Sequence, residues 1–361
     1  MKPSQDTSQV ISLLRFPLCA AVVMLHTYLI DKPIGGVVYV TKNQFPIFDY
    51  IEHIIRVEIA NMAVPLFFFI SGFLFFCGKA FTPKVFIDKL KKRFHSLFIP
   101  YVFWNTCFIL FIALIGILYP TWLTEKRSIL QMSFSEILNA YWDLDQGLIP
   151  LWFIRDLMIL NLFAPVFYWM IKRVNFLIIV VLGLLWIFQI GQWLPGIGVR
   201  ASFFYALGAW FSIRQNNFVE VLRPYRTPIL LGSCLLIGIN TYCWANNLPY
   251  QTFFQLSQMI GILGIILFTD LLRQHQKLQA HPFLVESSFF VFVFHMFVIK
   301  FPSLYWVKIL PINTFTLTLV LFGIPLCTTI LCVGIYGLMD TISSIYNLCD
   351  RKAIKLCWFI S

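Results

Sequence analysis

The chain has 361 residues, of which 59% are hydrophobic and only 12% are charged, and its formal net charge is +11. A soluble domain carries about 25% charged residues, so this composition excludes an ordinary soluble protein and indicates a polytopic membrane protein. The basic residues lie in short loops beside apolar segments, as the positive-inside rule requires, and this placement argues against a nucleic-acid partner.

Apolar stretches of roughly 20 residues predict about ten membrane-spanning helices in one all-α domain, residues 1–361. The predicted spans are 10–30, 57–77, 96–119, 150–171, 175–193, 199–213, 227–245, 250–272, 283–303 and 313–339. Residues 31–55 and 120–148 are predicted to be loops, and a short tail is predicted from about residue 340. The nine cysteines are scattered without a metal-ligand spacing, so no metal site is predicted.

Lysine and arginine concentrate in the loops after the second, fourth, sixth and eighth spans and in the tail. The positive-inside rule therefore predicts that these loops and both termini are cytoplasmic. The most basic of these loops, residues 78–95, includes Lys89, Lys92 and Arg93. Such a cluster either contacts anionic lipid headgroups or clamps phosphate groups of a ligand.

The first predicted span carries Arg15 near its start and His26 in its interior. A charged side chain in the bilayer costs roughly 2.5 kcal/mol or more, which makes such residues candidates for function. Eleven residues correspond to about three helical turns, so the two side chains share one face about 16 Å apart. Snorkelling of Arg15 and a hydrogen bond from His26 to a neighbouring helix are the structural alternatives, and the pair alone leaves both open.

The second span contains a polar pair, a proline and a small-residue pair. Glu58 and Asn61 are three residues apart and share a face at the outer end of the span. Pro65 frees a backbone carbonyl, and Ser71-Gly72 permits a close approach of another helix.

Two further spans carry charged residues near their outer ends. Arg155 and Asp156 are adjacent in the fourth span, and neighbours in a helix diverge by about 100°. We therefore expect them to have separate partners, with Glu58 a candidate for Arg155. Arg200 and Tyr205 give the sixth span a further polar face near the outside.

Five motifs together resemble those of the acyltransferase-3 family of integral-membrane acyltransferases. They are Arg15 and His26 with ten residues between them, VPLFFFISGF at 64–73, PLWFIRDL at 150–157, FFYALG at 203–208 and SFFVFVFH at 288–295. The resemblance extends from the first through the ninth span. Many members carry two arginines three residues apart after the second span, whereas here Arg93 is followed at that spacing by Ser96. Lys92 or Lys89 is the candidate substitute, without the bidentate fork of arginine.

The resemblance implies transfer of an acyl group, commonly acetyl from acetyl-CoA, to a hydroxyl of a cell-envelope or secreted carbohydrate. The implied location is the plasma (inner) membrane, and the implied partners are acyl-CoA, the glycan and the lipid bilayer. Histidine is a suitable base for a hydroxyl, so His26 is the expected base and Arg15 its partner in catalysis. No bound cofactor or metal is expected, and the oligomeric state stays open.

Further residues take expected roles from the same resemblance. The expected donor-binding residues are Arg15, Arg93 and Lys92; the expected acceptor-binding residues are Glu58, Asn61, Trp152 and Arg155; and the expected supporting residues are Ser71, Asp156 and His295. A lone histidine within a span is more often structural, which is the alternative for His295. A transporter that moves a polar solute or an acylated glycan is the alternative function, although the halves of the chain show no convincing repeat.

Overall fold

A computed structural model describes residues 2–34, 37–118, 132–142, 147–191 and 198–346 as a helical bundle. The α-helices of this part are α1 (Gln5–Leu25), α2 (Pro46–Glu52), α3 (Ala63–Phe76), α4 (Pro83–Arg93), α5 (Ile99–Leu118), α6 (Phe134–Trp142), α7 (Trp152–Leu162), α8 (Ala164–Val174), α9 (Leu177–Ile187), α10 (Val199–Ile213), α11 (Phe218–Leu222), α12 (Arg226–Ala245), α13 (Gln251–Gln274), α14 (Pro282–Ile309) and α15 (Thr314–Tyr346). Strands β1 (Pro33–Ile34) and β2 (Val37–Val38) pair antiparallel.

Short segments of other helical geometry join several of these helices. His53–Ile59 and Phe94–Phe98 are π-helical, and Ala60–Met62, Ile149–Leu151 and Arg223–Tyr225 are 3₁₀-helical. The chain is therefore helical without interruption from Pro46 to Phe76 and from Pro83 to Leu118. Proline occupies the first turn of both long helices, where its missing N–H breaks no helical hydrogen bond.

The described residues include seven helices that are long and apolar enough to cross a membrane, or eight if the bent pair α7–α8 is one span. The chain is thus an all-α, polytopic membrane protein. Helices α9 and α10, predicted as the fifth and sixth spans, have only 11 and 15 residues. Length alone does not fix which helices cross or in which direction, so the count of ten and the cytoplasmic termini stay predictions.

Several predicted boundaries were wrong. Residues 46–55 are helical rather than part of a loop, and α6 lies within the predicted loop 120–148, of which 120–131 and 143–146 lie outside the described residues. The fourth span bends by 60° between α7 and α8. Pro165 explains that bend, because its ring clashes with a continuing helix. Helix α15 continues to Tyr346, and the rest of the predicted tail lies outside the described residues.

Helix α1 is central to the bundle. It packs against α3, α11, α13, α14 and α15. Its buried side chains include Val10, Leu14 and Leu18 on one turn after another, together with Val22 and Val23 near its end. The helix that carries Arg15 and His26 is therefore enclosed by other helices, and its polar residues face protein as well as any lipid.

An ion-pair network joins the first turn of α1 to α13 and to the start of α12. Asp270 of α13 is fully buried and accepts hydrogen bonds from Arg223 at 2.9 Å, Arg226 at 3.0 Å and Arg273 at 2.8 Å. Asp6 of α1 pairs with Arg223 at 2.6 Å and with Arg273 at 3.1 Å. The network holds one end of α1 in place.

Two glycines allow α3 and α10 to approach unusually closely. A Cβ atom at Gly72 would overlap the backbone carbonyl of Tyr205, and one at Gly208 would overlap the backbone carbonyl of Phe69. Since backbone is on the opposite side of each contact, no side chain can move aside to relieve the overlap. This arrangement confirms that Gly72 permits the close approach of another helix.

We expect Gly72→Ala to destabilise the protein by about 1–3 kcal/mol, because it forces α3 away from α10. The measurement is thermal unfolding of the purified full chain in detergent. Gly238→Ala on α12 is the matched control, since no heavy atom lies within 4 Å of the added Cβ atom. Equal unfolding temperatures for Gly72→Ala and the unmodified protein would contradict the packing argument.

Candidate active site

Arg15 and His26 lie at different kinds of position on α1. Arg15 is within the helix and half-buried. The sequence predicted that His26 lies in the interior of the first span. In the structure it is the residue directly after the last residue of α1. Its backbone N–H donates to the Val23 carbonyl at 3.2 Å, and its side chain is half-buried.

The structure brings His26 together with a second histidine from a distant part of the sequence. The ring centroids of His26 and His295 are 5.2 Å apart, with the rings tilted by 40°. His295 lies on α14, is fully buried, and its Nδ1 is 3.1 Å from the Val291 carbonyl oxygen. The two motifs carry these histidines separately, and no spacing in the sequence predicts that they meet.

The predicted donor-binding residues differ in how they are engaged. Neither Arg15 nor Arg93 makes a hydrogen bond or ion pair within the described residues. Arg93 is half-buried. Lys92 is exposed. These three cations are therefore available to an anionic ligand.

Lys89 has a structural position. Its ammonium donates to the Phe75 carbonyl and, at 2.8 Å, to the Cys77 carbonyl. These carbonyls lie at the C-terminal end of α3, where the helix has no further N–H groups to satisfy them. Of the two lysines considered as substitutes for a second arginine, Lys92 is thus the freer one.

Glu58 is held inside the bundle rather than paired with Arg155. Its side chain is fully buried and accepts hydrogen bonds from Asn240 Nδ2 and, at 2.5 Å, from Ser257 Oγ. His53 lies 3.7 Å from the same carboxylate. The predicted pairing of Glu58 with Arg155 was therefore wrong, because α12 and α13 supply the partners of this carboxylate.

Arg200 satisfies the polar groups around Asn61. Its Nη2 donates to the backbone carbonyl of Asn61, to Asn61 Oδ1 and to Gln258 Oε1, each at 3.1 Å. Pro65, four residues after Asn61, lacks the N–H that would bond to that carbonyl in a regular helix. The carbonyl freed by the proline is thus bound by arginine. Arg200 and Tyr205, predicted to share a polar face, have separate surroundings.

Arg155 and Asp156 bind each other, contrary to the prediction of separate partners. Arg155 Nε donates to Asp156 Oδ1 at 3.0 Å, and its Nη1 donates to the Trp142 carbonyl. The long arginine side chain folds back and so overcomes the divergence of adjacent helical positions. Both residues are buried, with 9% and 5% of their surfaces exposed.

The other two predicted residues are half-buried. Trp152, at the start of α7, lies with its ring centroid 6.2 Å from that of Phe68, and Ser71 adjoins the α3–α10 contact. No group of three or more His, Cys, Asp or Glu side chains in the described part of the chain is placed to hold a metal ion.

The structure thus describes a polytopic membrane protein with a histidine pair at the end of its central helix. A family model described as an acyltransferase domain matches residues 9–337. The chain therefore belongs to the acyltransferase-3 family and is a membrane acyltransferase. Neither a curated protein nor a solved structure matches it.

We expect Arg155→Met to destabilise the protein by about 3–5 kcal/mol, because it leaves the buried Asp156 carboxylate without its cation. The double variant Arg155→Met/Asp156→Leu removes both charges and should recover most of that loss. Thermal unfolding in detergent measures both. A double variant as unstable as the single one would show that the pair does not account for the effect.

Proposed function

We propose that the protein transfers an acyl group, with acetyl as the first candidate, from cytoplasmic acyl-CoA to a hydroxyl of an extracytoplasmic carbohydrate. The plasma (inner) membrane is the proposed location, since the donor is made inside the cell and the acceptor lies outside. One observation supports the assignment of Arg15 and His26 as the proposed catalytic residues. Arg15 and His26 lack hydrogen-bonding side-chain partners within the described residues, whereas Glu58, Asp156 and Asp270 are fully engaged.

The chemistry requires a base, because a sugar hydroxyl is a weak nucleophile near neutral pH. His26 takes the hydroxyl proton while the oxygen attacks the thioester carbonyl carbon. The new C–O bond forms, the C–S bond breaks, and the coenzyme A sulfur leaves with the proton. Arg15 stabilises negative charge on the thioester oxygen or on a donor phosphate. The reaction therefore needs no bound cofactor.

The cations of the basic loop complete the proposed donor site. Arg93 and Lys92 contact the phosphates of coenzyme A, which is consistent with their lack of protein partners within the described residues. The acceptor contacts Trp152 and the polar groups Glu58, Asn61 and Arg155. Because the last three already have protein partners, we expect Trp152 to contribute the larger share of sugar contact. Ser71, Asp156 and His295 support the site.

We expect His26→Ala to reduce transfer by about 100-fold or more, the usual contribution of a general base. The assay uses purified protein in liposomes, radiolabelled acetyl-CoA and extracted cell-envelope carbohydrate. His281→Ala is the matched control, because His281 precedes α14 and is exposed. Undiminished transfer by a folded His26→Ala variant would exclude His26 as the base. Solute flux without any donor would favour the transporter alternative.

We expect Arg15→Met to raise the KM for acetyl-CoA by about tenfold or more, since hydrogen bonds to charged groups contribute about 1.5–3 kcal/mol. Initial rates at varied acetyl-CoA concentration give this constant. Lys277→Met is the control, because Lys277 is an exposed cation after α13. An unchanged KM together with a reduced kcat would assign Arg15 to the reacting thioester rather than to donor binding.

A further inference from the structure

The hydrogen bond of His295 fixes which of its ring nitrogens carries a proton. Nδ1 is 3.1 Å from the Val291 carbonyl oxygen, which can only accept a hydrogen bond. Nδ1 is therefore the protonated nitrogen of the neutral ring, and Nε2 carries a lone pair. Since Val291 is one turn earlier on α14, the helix itself holds the ring in this orientation.

The lone pair of His295 is buried and has no partner within the described residues. Nε2 is among the buried side-chain nitrogens that accept no hydrogen bond. Leaving a buried acceptor unsatisfied costs about 1–3 kcal/mol, so its retention calls for a reason. The other titratable ring beside it is that of His26, 5.2 Å away between centroids.

His26 is able to supply the missing hydrogen bond. Ring nitrogens lie at the rim of each imidazole, so centroids at this separation allow a nitrogen–nitrogen distance of about 2.7–3.2 Å after a rotation of one ring. His26 is half-buried and follows the last residue of α1, whereas His295 is fixed within α14. His26 is therefore the ring that rotates.

We propose that His295 is a positioning residue for His26: its Nε2 accepts the N–H of His26 and so points the other, unprotonated nitrogen of His26 toward the acceptor hydroxyl. This inference rests on the proposed function. A base that is itself oriented by a third group is a recurring arrangement in acyl transfer. In the Ser-His-Asp triad a carboxylate orients the base, whereas in this protein the neutral ring of His295 would orient His26.

The proton that leaves the acceptor hydroxyl in this arrangement ends on the coenzyme A thiolate. The acceptor O–H proton moves to the free nitrogen of His26, and the imidazolium shares its other proton with Nε2 of His295. When the C–S bond of the thioester breaks, the coenzyme A thiolate takes one proton and His26 returns to its neutral form. No proton is gained or lost overall, and no further reactant is needed.

The test is a double-mutant cycle on the full-length protein with His26→Ala, His295→Phe and the two combined, assayed with radiolabelled acetyl-CoA and envelope carbohydrate. We expect His295→Phe to lower kcat by about 10–100-fold and to leave the KM for acetyl-CoA within about twofold. In the His26→Ala background the same substitution should cause no further loss, because its effect passes through His26.

His295→Gln is the second variant and also serves if His295→Phe fails to fold. Its amide oxygen accepts the His26 N–H but cannot share a proton, so its kcat should lie between those of the phenylalanine variant and the unmodified protein. Unfolding temperatures of all variants in one detergent reveal any folding defect. A purely structural role would lower stability without the dependence on His26.

Several results would overturn the inference. These are full kcat in either His295 variant, equal losses with glutamine and phenylalanine, or losses that multiply in the His26→Ala background. If His26→Ala loses transfer and His295→Phe does not, the proposed function stands and only the role of His295 fails. If His26→Ala keeps full transfer, acyl transfer itself stands, but His26 is not the base and the positioning role of His295 fails with it.

Discussion

Charged side chains within an apolar bundle need partners from the protein, and this requirement organises the structure. Glu58 is held by Asn240 and Ser257, and Asp156 is held by Arg155. Asp270 is surrounded by arginines. Each of these groups links helices or stabilises one, so each has a structural role.

The side chains of Arg15 and His26, by contrast, make no hydrogen bond or ion pair within the described residues, and the helix that carries them is central to the bundle. Helix α1 is surrounded by five other helices, and its first turn is fixed by the Asp6 ion pairs. Its other end stops at Leu25, and His26 follows as the cap residue, with its ring beside that of the fully buried His295.

Packing around α3 also bears on the basic residues of α4, which follows it. Gly72 and Gly208 allow the backbones of α3 and α10 to touch, with Gly72 against the Tyr205 carbonyl and Gly208 against the Phe69 carbonyl. Lys89 of α4 satisfies the last carbonyls of α3. Packing therefore decides that Lys89 has a structural role, whereas Arg93 and Lys92 make no hydrogen bond or ion pair within the described residues.

The sequence by itself determined the membrane class, most of the helices, the family and the prominence of Arg15 and His26, because apolar length and motif spacing are local properties. It also indicated a carbonyl freed by Pro65 and a close approach at Gly72. Only the tertiary structure decided that Arg200 binds that carbonyl, that Arg155 turns to Asp156 rather than Glu58, and that His295 lies beside His26. The first and third of these pairings join helices far apart in the chain, and the second joins neighbouring residues of α7. Side-chain reach and helix packing, which no spacing records, select among the possible partners.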